Sequence, residues 1–524
     1  MRSGLNKLTD QIPLLSSSEM KAFDQAAITA GKSERFLIDA AASAIRDRIF
    51  KLSTHKQREN IAILVGPGNN GADALSLARI IGGSECSISI IIAHTPNFNS
   101  GWREQFNLIN RSHCKLLYFG GEPEKSLSLI ATPASEVIRE ISTSSILVDG
   151  LLGNGQKGAP RGAIAQLLTL VDNADLSSNA ISISIDLPTG MNCDSGEVYE
   201  PHFTADITIT VQALKRGVSQ YPGRTICGEI EVVDIGIPVN QPVQATLVTA
   251  ETAPKYPTRS QDFHKGDAGK ILVIGGSKEM PGAPILSGFA ALKSGAGVVH
   301  VTNFSDTTNS NFPEIILRKT AESSLNFTDL NKLLPFLDSF DAVVVGPGLG
   351  REPSTISCCS ELLLELAKRK TPTVIDADAL YALKEVSLSF QGNFVITPHP
   401  GEAATLLNCS ADSIQQDRFN SAKELANRFN CIAVLKGAGT ITADSNHFYV
   451  NTTGNPWMAT AGSGDVLSGL IATLIAQKCT LVEAAQLGVF IHGLAGDIAH
   501  SECNGPIVAS DIAKSIPYAI GRVR

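Results

Sequence analysis

One aspartate, Asp465, stands in a glycine-rich turn before an apolar segment in the C-terminal half of the sequence. Gly462 and Gly464 allow tight backbone geometry there. Five apolar residues follow at helical spacing, which predicts a helix that begins at this turn: Val466, Leu467, Leu470, Ile471 and Leu474. The bare N–H groups of a helix N-terminus bind anions. We therefore expect Asp465 to lie beside a phosphate and to act as base on the attacking hydroxyl, unless it only complements the helix dipole.

A second stretch with chemical potential follows the buried strand predicted for residues 60–65. The strand runs into a glycine-rich loop and then a helix, as in a βα nucleotide-binding unit. The loop matches neither the Gly-x-Gly-x-x-Gly fingerprint nor a Walker loop. It carries Asn69, Asn70 and Asp73, whose oxygens suit a hard cation or a sugar hydroxyl.

Two further predicted strands end in an aspartate and a glycine turn, at Asp149 and at Asp186. The carboxyl ends of parallel strands line one crevice of an α/β sheet. We therefore expect the loop at residues 69–73, Asp149 and Asp186 to converge. The alternative is that the two aspartates cap helices or satisfy turns.

The C-terminal half repeats the pattern of a buried strand followed by a polar turn. Its turns are Gly-Pro-Gly-Leu-Gly at 346–350, Asp-Ala-Asp at 376–378, Thr-Pro-His-Pro-Gly-Glu at 397–402 and Lys-Gly-Ala-Gly-Thr at 436–440. This pattern predicts a doubly wound sheet whose chemistry lies along one edge.

Proline-rich segments without periodicity separate the two halves, as is typical of a linker. We predict the α/β class with two doubly wound domains, at residues 1–240 and 260–524, joined by a linker at 241–259. No close internal repeat relates the two halves.

The composition narrows the range of partners. The 524 residues are 43% hydrophobic and 18% charged, with a formal net charge of -8, so neither nucleic acid nor an anionic membrane is expected as the main partner. No apolar run approaches the roughly 20 residues that span a bilayer, and the N-terminus lacks the apolar core of a signal peptide. We expect a cytoplasmic protein. The ten cysteines form no Cys-x-x-Cys pair, so neither a zinc site nor a disulfide framework is indicated.

Taken together, the two sets of motifs resemble the bifunctional NAD(P)H-hydrate repair enzymes, in which an epimerase domain is fused to a ribokinase-like dehydratase domain. The resemblance covers nearly the whole chain from about Met20. The motifs at 65–71, 149–153 and 186–190 match the epimerase, and those at 264–267, 346–350, 376–378, 397–402, 436–440 and 462–465 match the dehydratase. The order and spacing of these motifs together are highly specific.

The resemblance implies a Rossmann-like N-terminal epimerase that interconverts the R and S forms of NADHX and NADPHX, nicotinamide cofactors hydrated at C6. It makes Asp186 the acid/base group, and Asn70, Asp149 and Thr189 the potassium ligands. The hydrate would be bound by Asp186 and by two loops, whose residues are Asn69, Asn70, Gly71, Ala72, Asp73, Gly153, Asn154, Gly155, Gln156, Lys157, Gly158 and Ala159.

For the C-terminal half the resemblance implies a dehydratase, a lyase that uses Mg²⁺ with ADP or ATP. Asp465 would be the base that lets the C6 hydroxyl accept a phosphoryl group, after which phosphate leaves and the dihydropyridine returns. Ala283, Gly348, His399 and Asp465 would touch the hydrate. The adenine nucleotide would be bound by Lys436, Gly437, Ala438, Gly439, Thr440 and Gly464. Relatives assemble, so a homo-oligomer is expected.

The chain departs from the family pattern at Ala72 and Ala74, where glycine is usual, and at Thr189, where serine is usual. A methyl group at Ala72 would cost about 1 kcal/mol if the residue needed a positive φ. The rival interpretation is a ribokinase-like small-molecule kinase fused to a non-catalytic binding module. The aspartates and Asn70 in the first half favour catalysis over that rival.

Overall fold

The computed structural model describes residues 11–52, 60–82, 86–95, 97–237, 242–303, 312–319, 324–385 and 392–523. The chain divides into two compact units, and the division falls between Val243 and Gln244. Both units are α/β with parallel strands at the centre of the sheet.

The first unit is built from strands and helices that alternate along the chain. In order they are β1 (Ile12–Leu15), α1 (Ser17–Thr29), α2 (Glu34–Leu52), β2 (Asn60–Val65), α3 (Asn69–Ile81), β3 (Ser87–Ala93), α4 (Ser100–Asn107), β4 (Cys114–Phe119), α5 (Ala134–Ser142), β5 (Ile146–Gly150), α6 (Gly162–Asp172), β6 (Ile181–Ile185), β7 (Ile207–Val211), β8 (Leu214–Lys215) and β9 (Glu229–Val233).

Seven of these strands form one parallel sheet in the order β4-β3-β2-β5-β6-β7-β9. The side chains of β2 alternate between two cores, because successive residues of a strand point to opposite faces. Ile61 and Ile63 pack with residues of α2, α3 and α4, whereas Ala62 and Leu64 pack with residues of α5 and α6. Helices therefore cover both faces, and the predicted doubly wound fold is confirmed here.

The second unit follows the same alternation. Its elements are β10 (Ala245–Val248), β11 (Lys270–Ile274), α7 (Gly282–Lys293), β12 (Val298–Asn303), β13 (Ile316–Lys319), α8 (Phe327–Leu333), β14 (Ala342–Val345), α9 (Pro353–Arg369), β15 (Thr373–Ile375), α10 (Ala379–Ala382), β16 (Phe394–Ile396), α11 (Pro400–Leu407), α12 (Ala411–Gln416), α13 (Arg418–Phe429), β17 (Ile432–Leu435), β18 (Ile441–Ala443), β19 (Phe448–Asn451), α14 (Ser463–Ala476), α15 (Leu481–Cys503) and α16 (Ala509–Gly521).

Its strands pair in the order β13-β12-β11-β14-β15-β16-β17-β18-β19-β10. Only β18 runs antiparallel to its neighbours. Val273 and Val344 pack in the core formed by α7, α14, α15 and α16, while Leu272 and Val343 on the opposite face are also fully buried. Helix α15 is long and apolar enough to cross a membrane by length and composition, but 67% of its apolar window is buried inside the protein, as in a core helix.

Two segments differ from the sequence-based expectation. Residues 69–73 form the first turn of α3 rather than a loop, because a helix N-terminus tolerates Asn and Gly better than a helix interior does. The segment at 241–259, expected to be a linker, contains β10, which pairs with β19 in the second sheet. Prolines flank this strand on both sides but do not lie within it, where they would remove a ladder hydrogen bond.

Candidate active sites

The first candidate site lies where the strand order of the first sheet reverses. β3 pairs with one side of β2 and β5 with the other, so the carboxyl ends of β2 and β5 border a crevice. Gly66, directly after β2, approaches Leu151 so closely that a Cβ would lie 1.7 Å from the Leu151 carbonyl oxygen. Only glycine fits there, and the contact between Gly66 and Leu151 sets the distance between the two strand ends at the base of the crevice.

Helix α3 opens onto this crevice. Its N-cap, Gly68, has no side chain to bond the first N–H groups, which leaves them available to an anion. Asn99 donates from Nδ2 to Asn69 Oδ1 over 2.6 Å and orients that amide. Ala72 is helical and fully buried, and it is absent from the residues with positive φ. Its methyl group therefore causes no backbone strain.

The three predicted potassium ligands come together at the ends of β2, β5 and β6. Asn70 Nδ2 donates to Leu152 O over 2.9 Å, and Leu152 N–H donates to Thr189 Oγ1 over 3.0 Å. The Thr189 hydroxyl donates to Asp149 Oδ1 over 2.7 Å. Asn70 Oδ1 is buried and has no hydrogen-bond partner among the described residues. This orphaned amide oxygen fits a cation, since a buried acceptor without a partner is costly.

Asp149 is fully buried, and both of its oxygens accept hydrogen bonds from the protein. Oδ2 accepts from Thr189 N–H at 2.7 Å and from the Ser184 hydroxyl at 3.3 Å, while Oδ1 also accepts from Leu151 N–H at 3.1 Å. Burial raises the pKa of Asp149 to about 6, and these hydrogen bonds oppose that rise. Asp149 therefore holds the Thr189 turn in place and supplies negative charge to the cluster.

The loop at residues 153–159 is attached to the neighbouring turns by its polar residues. Asn154 Oδ1 accepts from Cys193 Sγ over 2.8 Å, and Gln156 Oε1 accepts from Gly190 N–H over 2.9 Å. Gly153 lies over Asn70, because a Cβ on this glycine would lie 3.1 Å from Asn70 Cγ. The remaining loop positions, Gly155, Lys157 and Ala159, are exposed, and Gly158 has a positive φ of 85°. This loop and the 186–190 turn thus meet at one crevice.

Asp186 occupies a strained position directly after β6, with a φ of 65°, in a region that non-glycine residues rarely adopt. Its Oδ1 accepts from Val211 N–H over 3.2 Å and is ion-paired with Lys215 Nζ. The side chain keeps 14% exposure. Asp186 is therefore fixed in direction and still reachable from the crevice.

Asp73 of α3 shares this neighbourhood. Burial, followed by the charges of Asp186 and Asp24, raises the pKa of Asp73 well above its usual value, and Lys215 opposes the rise. Burial also raises the pKa of Asp24 to about 6. The first site therefore combines an ion-paired aspartate with an acid that favours its protonated form.

The second candidate site lies at the corresponding reversal of the second sheet, between β11 and β14. Gly346, directly after β14, has a φ of 130°, and a Cβ there would lie 1.7 Å from Asp376 O. Gly348 has a φ of 66°, and its added Cβ would lie 3.1 Å from Ala283 Cβ. The two predicted hydrate-binding residues Ala283 and Gly348 are thus neighbours at this crevice.

Helix α14 points its N-terminus into the same region. Its N-cap, Gly462, has a φ of 86° and no side-chain cap, and Asp465 lies in the first turn. A Cβ on Gly464 would lie 3.1 Å from Lys436 Nζ and 3.6 Å from Asp376 Oδ2. The helix start, Lys436 and the end of β15 therefore converge, as the turn motif predicts for a phosphate site.

Lys436 is held by two carboxylates. Its Nζ lies 2.8 Å from Asp376 Oδ1 and 3.9 Å from Glu402 Oε2. Burial, opposed by Lys436, raises the pKa of Glu402 to about 7. The same surroundings raise the pKa of Asp465 to about 8, mainly by burial and then by the charge of Asp376. Asp465 is thus a weak acid and, once ionised, a strong base for a carboxylate.

His399 caps helix α11 and faces this cluster. Its Nδ1 accepts from Gly401 N–H at 3.0 Å and from Glu402 N–H at 3.3 Å. Burial and the charge of Lys436 lower the pKa of His399. The imidazole is therefore neutral at pH 7, with its Nε2 carrying the proton.

The nucleotide loop at 436–440 is a compact turn supported from below. Gly437 and Gly439 have φ values of 138° and 64°, and the Thr440 hydroxyl donates to Gly437 O over 2.7 Å. Buried Arg418 donates to Leu435 O at 3.1 Å and to Lys436 O at 3.3 Å. Ala438 is exposed at the tip. The loop therefore presents its backbone outward from a rigid base.

Four residues of these sites have no role in the sequence-based prediction. Asp376 and Glu402 stand within the predicted motifs, and their place at strand and helix ends beside glycine turns is the signal that could have identified them. Lys215 and Arg418 carry no such signal, because each acts through a partner distant in the sequence.

Two protein-family models match the chain. The model described as the YjeF-related protein N-terminus matches residues 34–217, and the model of NAD(P)H-hydrate dehydratase matches residues 271–518. The first match covers the crevice of the first sheet, and the second covers the crevice of the second sheet.

Curated relatives match over both units. The bifunctional NAD(P)H-hydrate repair enzyme of Moorella thermoacetica is 35% identical over 477 residues, covering 88% of this chain and 87% of that protein. The enzyme of the same description from Coxiella burnetii is 33% identical over 500 residues, covering 93% of this chain and 95% of that protein. Among solved structures, an ADP/ATP-dependent NAD(P)H-hydrate dehydratase from Bacillus subtilis, co-crystallised with ATP and Mg²⁺, is 24% identical, covers 53% of this chain and 98% of its own, and has a TM-score of 0.43.

Proposed function

Since the chain belongs to the family of bifunctional NAD(P)H-hydrate repair enzymes, we propose that its two units divide the two reactions between them. The protein is an isomerase and a lyase: it epimerises hydrated NAD(P)H and dehydrates it to NAD(P)H. We assign epimerisation to residues 1–240 and dehydration to residues 260–524, with 241–259 between them. The substrates are NADHX and NADPHX, and the enzyme acts in the cytoplasm as a homo-oligomer.

The observation that carries the dehydratase assignment is the convergence of Asp465, Gly464 and Lys436 at the start of α14. Asp465 takes the proton of the C6 hydroxyl as that oxygen attacks the terminal phosphoryl group of ADP or ATP. AMP or ADP departs with the electron pair of the broken P–O bond. Phosphate then leaves C6 with the electron pair of the C–O bond, and transfer of a C5 proton to solvent completes the dihydropyridine. Phosphate is a far better leaving group than hydroxide, which is the reason for consuming a nucleotide.

The surrounding residues suit an adenine nucleotide and its ion. The loop at 436–440 and the bare N–H groups at Gly464 would bind the phosphates, and Lys436 would neutralise part of their charge. Mg²⁺ binds through one or two carboxylates together with substrate phosphates, and the buried Asp376 and Glu402 fit that requirement. Ala283, Gly348 and the neutral His399 would contact the hydrate.

In the first unit, Asp186 acts as the acid/base group and the loops at 69–73 and 153–159 bind the hydrate. K⁺ would be held by Asn70, Asp149 and Thr189, because Asn70 Oδ1 is a buried oxygen with no partner among the residues that the structure describes. The ion would order the crevice for an anionic substrate. Replacing K⁺ by tetramethylammonium should lower both the epimerisation rate and the melting temperature of the protein, and Asn70→Ala should lose both responses. Equal melting temperatures in the two salts would argue against the ion.

The decisive experiment supplies mixed R and S hydrate to the full-length protein with no nucleotide, with ADP or with ATP. Epimer ratios are followed by chromatography and NADH recovery by absorbance. We expect epimerisation in all three reactions and full NADH recovery only with a nucleotide. A phosphorylated product that accumulates without NADH would support a small-molecule kinase instead, and epimer ratios that do not change would make the first unit a binding module.

A further inference from the structure

Lys215 is a buried cation that the activities described above do not use. It ends β8, and it is only 1% exposed. An ammonium group without a partner would be strongly disfavoured at such a place. Its contacts therefore explain both how it is tolerated and what it does.

Each of the three N–H donors of Lys215 has an acceptor in the protein. They are directed to Asp186 Oδ1, to Thr210 Oγ1 at 3.0 Å and to Val211 O at 2.7 Å. An ammonium group has three donors and no acceptor. All three donors of Lys215 are therefore used within the protein, and the ammonium group is fixed in one position. Lys215 can affect a bound ligand only through Asp186.

The two oxygens of Asp186 have different surroundings. Oδ1 is paired with Lys215, accepts from Val211 N–H over 3.2 Å and lies 3.4 Å from the Thr210 hydroxyl. No residue in the described part of the chain donates to Oδ2. Because the backbone at Asp186 is held at a φ of 65°, the carboxylate cannot easily turn. One oxygen is thus anchored and the other is presented to the crevice.

The other ionisable groups near this pair come from five elements or turns. They are Asp24 on α1, Glu34 on α2, Asp73 on α3, Cys193 and Asp194 in the turn after β6, and Arg216 directly after β8. Burial raises the pKa of Asp24, Asp73 and Cys193; Lys215 opposes the rise at all three, and Arg216 also opposes it at Cys193. The pocket therefore holds several acids that favour their protonated forms around Lys215.

We propose that Lys215 is the positioning residue of the epimerase site, holding Asp186 as an oriented carboxylate whose Oδ2 takes the proton of the substrate's C6 hydroxyl. The inference rests on the assignment of epimerisation to the first unit. It adds the residue that fixes the direction of the base, because Lys215 binds Oδ1 and leaves Oδ2 facing the crevice.

The chemistry at C6 can then be followed proton by proton. Asp186 takes the hydroxyl proton, the oxygen electrons form a C6=O bond, and the electron pair of the C6–N1 bond moves onto N1, which takes a proton from Asp73. Rotation about the C5–C6 bond turns the other carbonyl face toward N1. The reverse transfers then close the ring with inverted configuration and return both carboxyl groups to their starting states.

A purely structural lysine would behave differently from a positioning one. If Lys215 only filled a buried position, its replacement would lower the melting temperature and leave the kcat of the folded variant near the wild-type value. If it orients Asp186, its loss lets the carboxylate turn away from the substrate. The kcat of epimerisation then falls while the KM for the hydrate changes little, because the interaction that is lost acts in the transition state.

The test measures kcat and KM of epimerisation separately for full-length Lys215→Met and Lys215→Gln. Two neutral replacements are used so that, if one variant misfolds, the other can still be measured, and folding is judged by melting temperature and near-UV circular dichroism. Lys51→Met is the matched control, because Lys51 is exposed at the end of α2. Lys215→Arg, which keeps a charged donor for Asp186 Oδ1, should retain more of the wild-type kcat than either neutral variant.

We expect a folded neutral variant to lose about 10²-fold in kcat with the KM for the hydrate within about threefold of the wild type. A folded neutral variant with wild-type kcat, or one whose loss lies in KM alone, would overturn the role of Lys215. The two levels of inference fail separately: a wild-type protein that does not epimerise removes the function, whereas an active wild type with equally active neutral variants removes only Lys215.

Discussion

The carboxyl of Asp465 lies among other acids and one cation, and burial is the main reason that its pKa rises to about 8. Asp376, Asp378 and Glu402 add to the rise, and Lys436 opposes it. A base acts in its ionised form, and its strength grows with the pKa of its conjugate acid. With Asp465 as the proposed base, less of the carboxyl is ionised at neutral pH, but the ionised form is a stronger base.

The first prediction concerns the base assignment. Asp465→Asn keeps the shape of the turn but cannot accept a proton, so dehydration should fall by about 10² to 10⁴ while epimerisation is unchanged. Turnover in both reactions and the melting temperature are measured on the same variant. A folded Asp465→Asn protein that dehydrates at a near-normal rate would make Asp465 only a helix-dipole partner.

The same substitution should affect stability in a direction set by pH. The folded state binds a proton at Asp465 more tightly than the unfolded state does, so the contribution of Asp465 to stability falls as the pH rises through the window from about 4 to about 8. Above that window the native protein contains a buried ionised carboxylate. Asp465→Asn should therefore melt at the same temperature as the wild type, or higher, at alkaline pH.

A second prediction concerns the pH dependence of dehydration itself. Because Asp465 must be ionised, kcat/KM should rise about tenfold per pH unit up to about 8 and then level off. Glu402, whose pKa is raised to about 7, is the other candidate for this limb. Glu402→Gln should keep the limb near 8. A wild-type profile that is flat between about pH 6 and 9, or a limb that disappears in Glu402→Gln, would contradict the role of Asp465.

At the scale of elements, both sites form where a sheet reverses its strand order and a glycine turn follows a strand. Gly66 and Gly346 lie so close to a neighbouring backbone that a Cβ built on either glycine would be 1.7 Å from a carbonyl oxygen. These glycines bring two strand ends together, and the helix N-termini of α3 and α14 are then free to face a ligand. Both units therefore build their candidate sites from the same arrangement, which is a strand end, a glycine turn and a helix N-terminus.

The third prediction tests the space at the start of α14. Gly464 has a helical conformation, so Gly464→Ala should leave stability unchanged or raise it by up to about 1 kcal/mol. The new methyl group would lie 3.1 Å from Lys436 Nζ and would displace that ammonium from the phosphate. Loss of one charge-assisted hydrogen bond should raise the KM for the nucleotide roughly 10- to 100-fold.

The control for this variant is Gly521→Ala. Gly521 ends α16, and a Cβ there meets no atom within 4 Å, so the substitution should change neither KM nor epimerisation. An unchanged nucleotide KM in Gly464→Ala, with the same variant fully folded, would place the phosphates away from Lys436.

The elements can be predicted from the sequence to the extent that their signals are local. Apolar strands that run into a glycine turn mark β2, β5 and β14 directly, and the start of α14 follows from helical spacing. The sequence predicts a loop at the start of α3 because Asn69, Asn70 and Gly71 are weak helix formers. The pairing of Asp186 with Lys215 depends on the register of β8 and the strained turn after β6, which no local pattern encodes.

For the molecule as a whole, the segment between the two halves matters more than its proline content suggests. β10 pairs with β19, from Ala245 opposite Phe448 to Val248 opposite Asn451. Tyr256 is 4% exposed and donates from its hydroxyl to Ser294 O over 2.6 Å. Composition alone could not reveal this, because a strand of four residues among prolines is too short to show the periodicity that predicts a strand.

The fourth prediction compares two C-terminal fragments, residues 242–524 and 260–524, with the full-length protein. Both contain Asp465, Lys436 and the loop at 436–440, but the shorter one lacks β10 and Tyr256. It should lose about 1.5 to 3 kcal/mol for each large apolar side chain no longer buried, and it exposes the edge of β19 to aggregation. The longer fragment should remain soluble and dehydrate the S hydrate with a nucleotide, whereas the shorter one should melt lower and aggregate. Equal melting temperatures would show that 241–259 is a linker after all, and an inactive longer fragment would show that the second unit does not work alone.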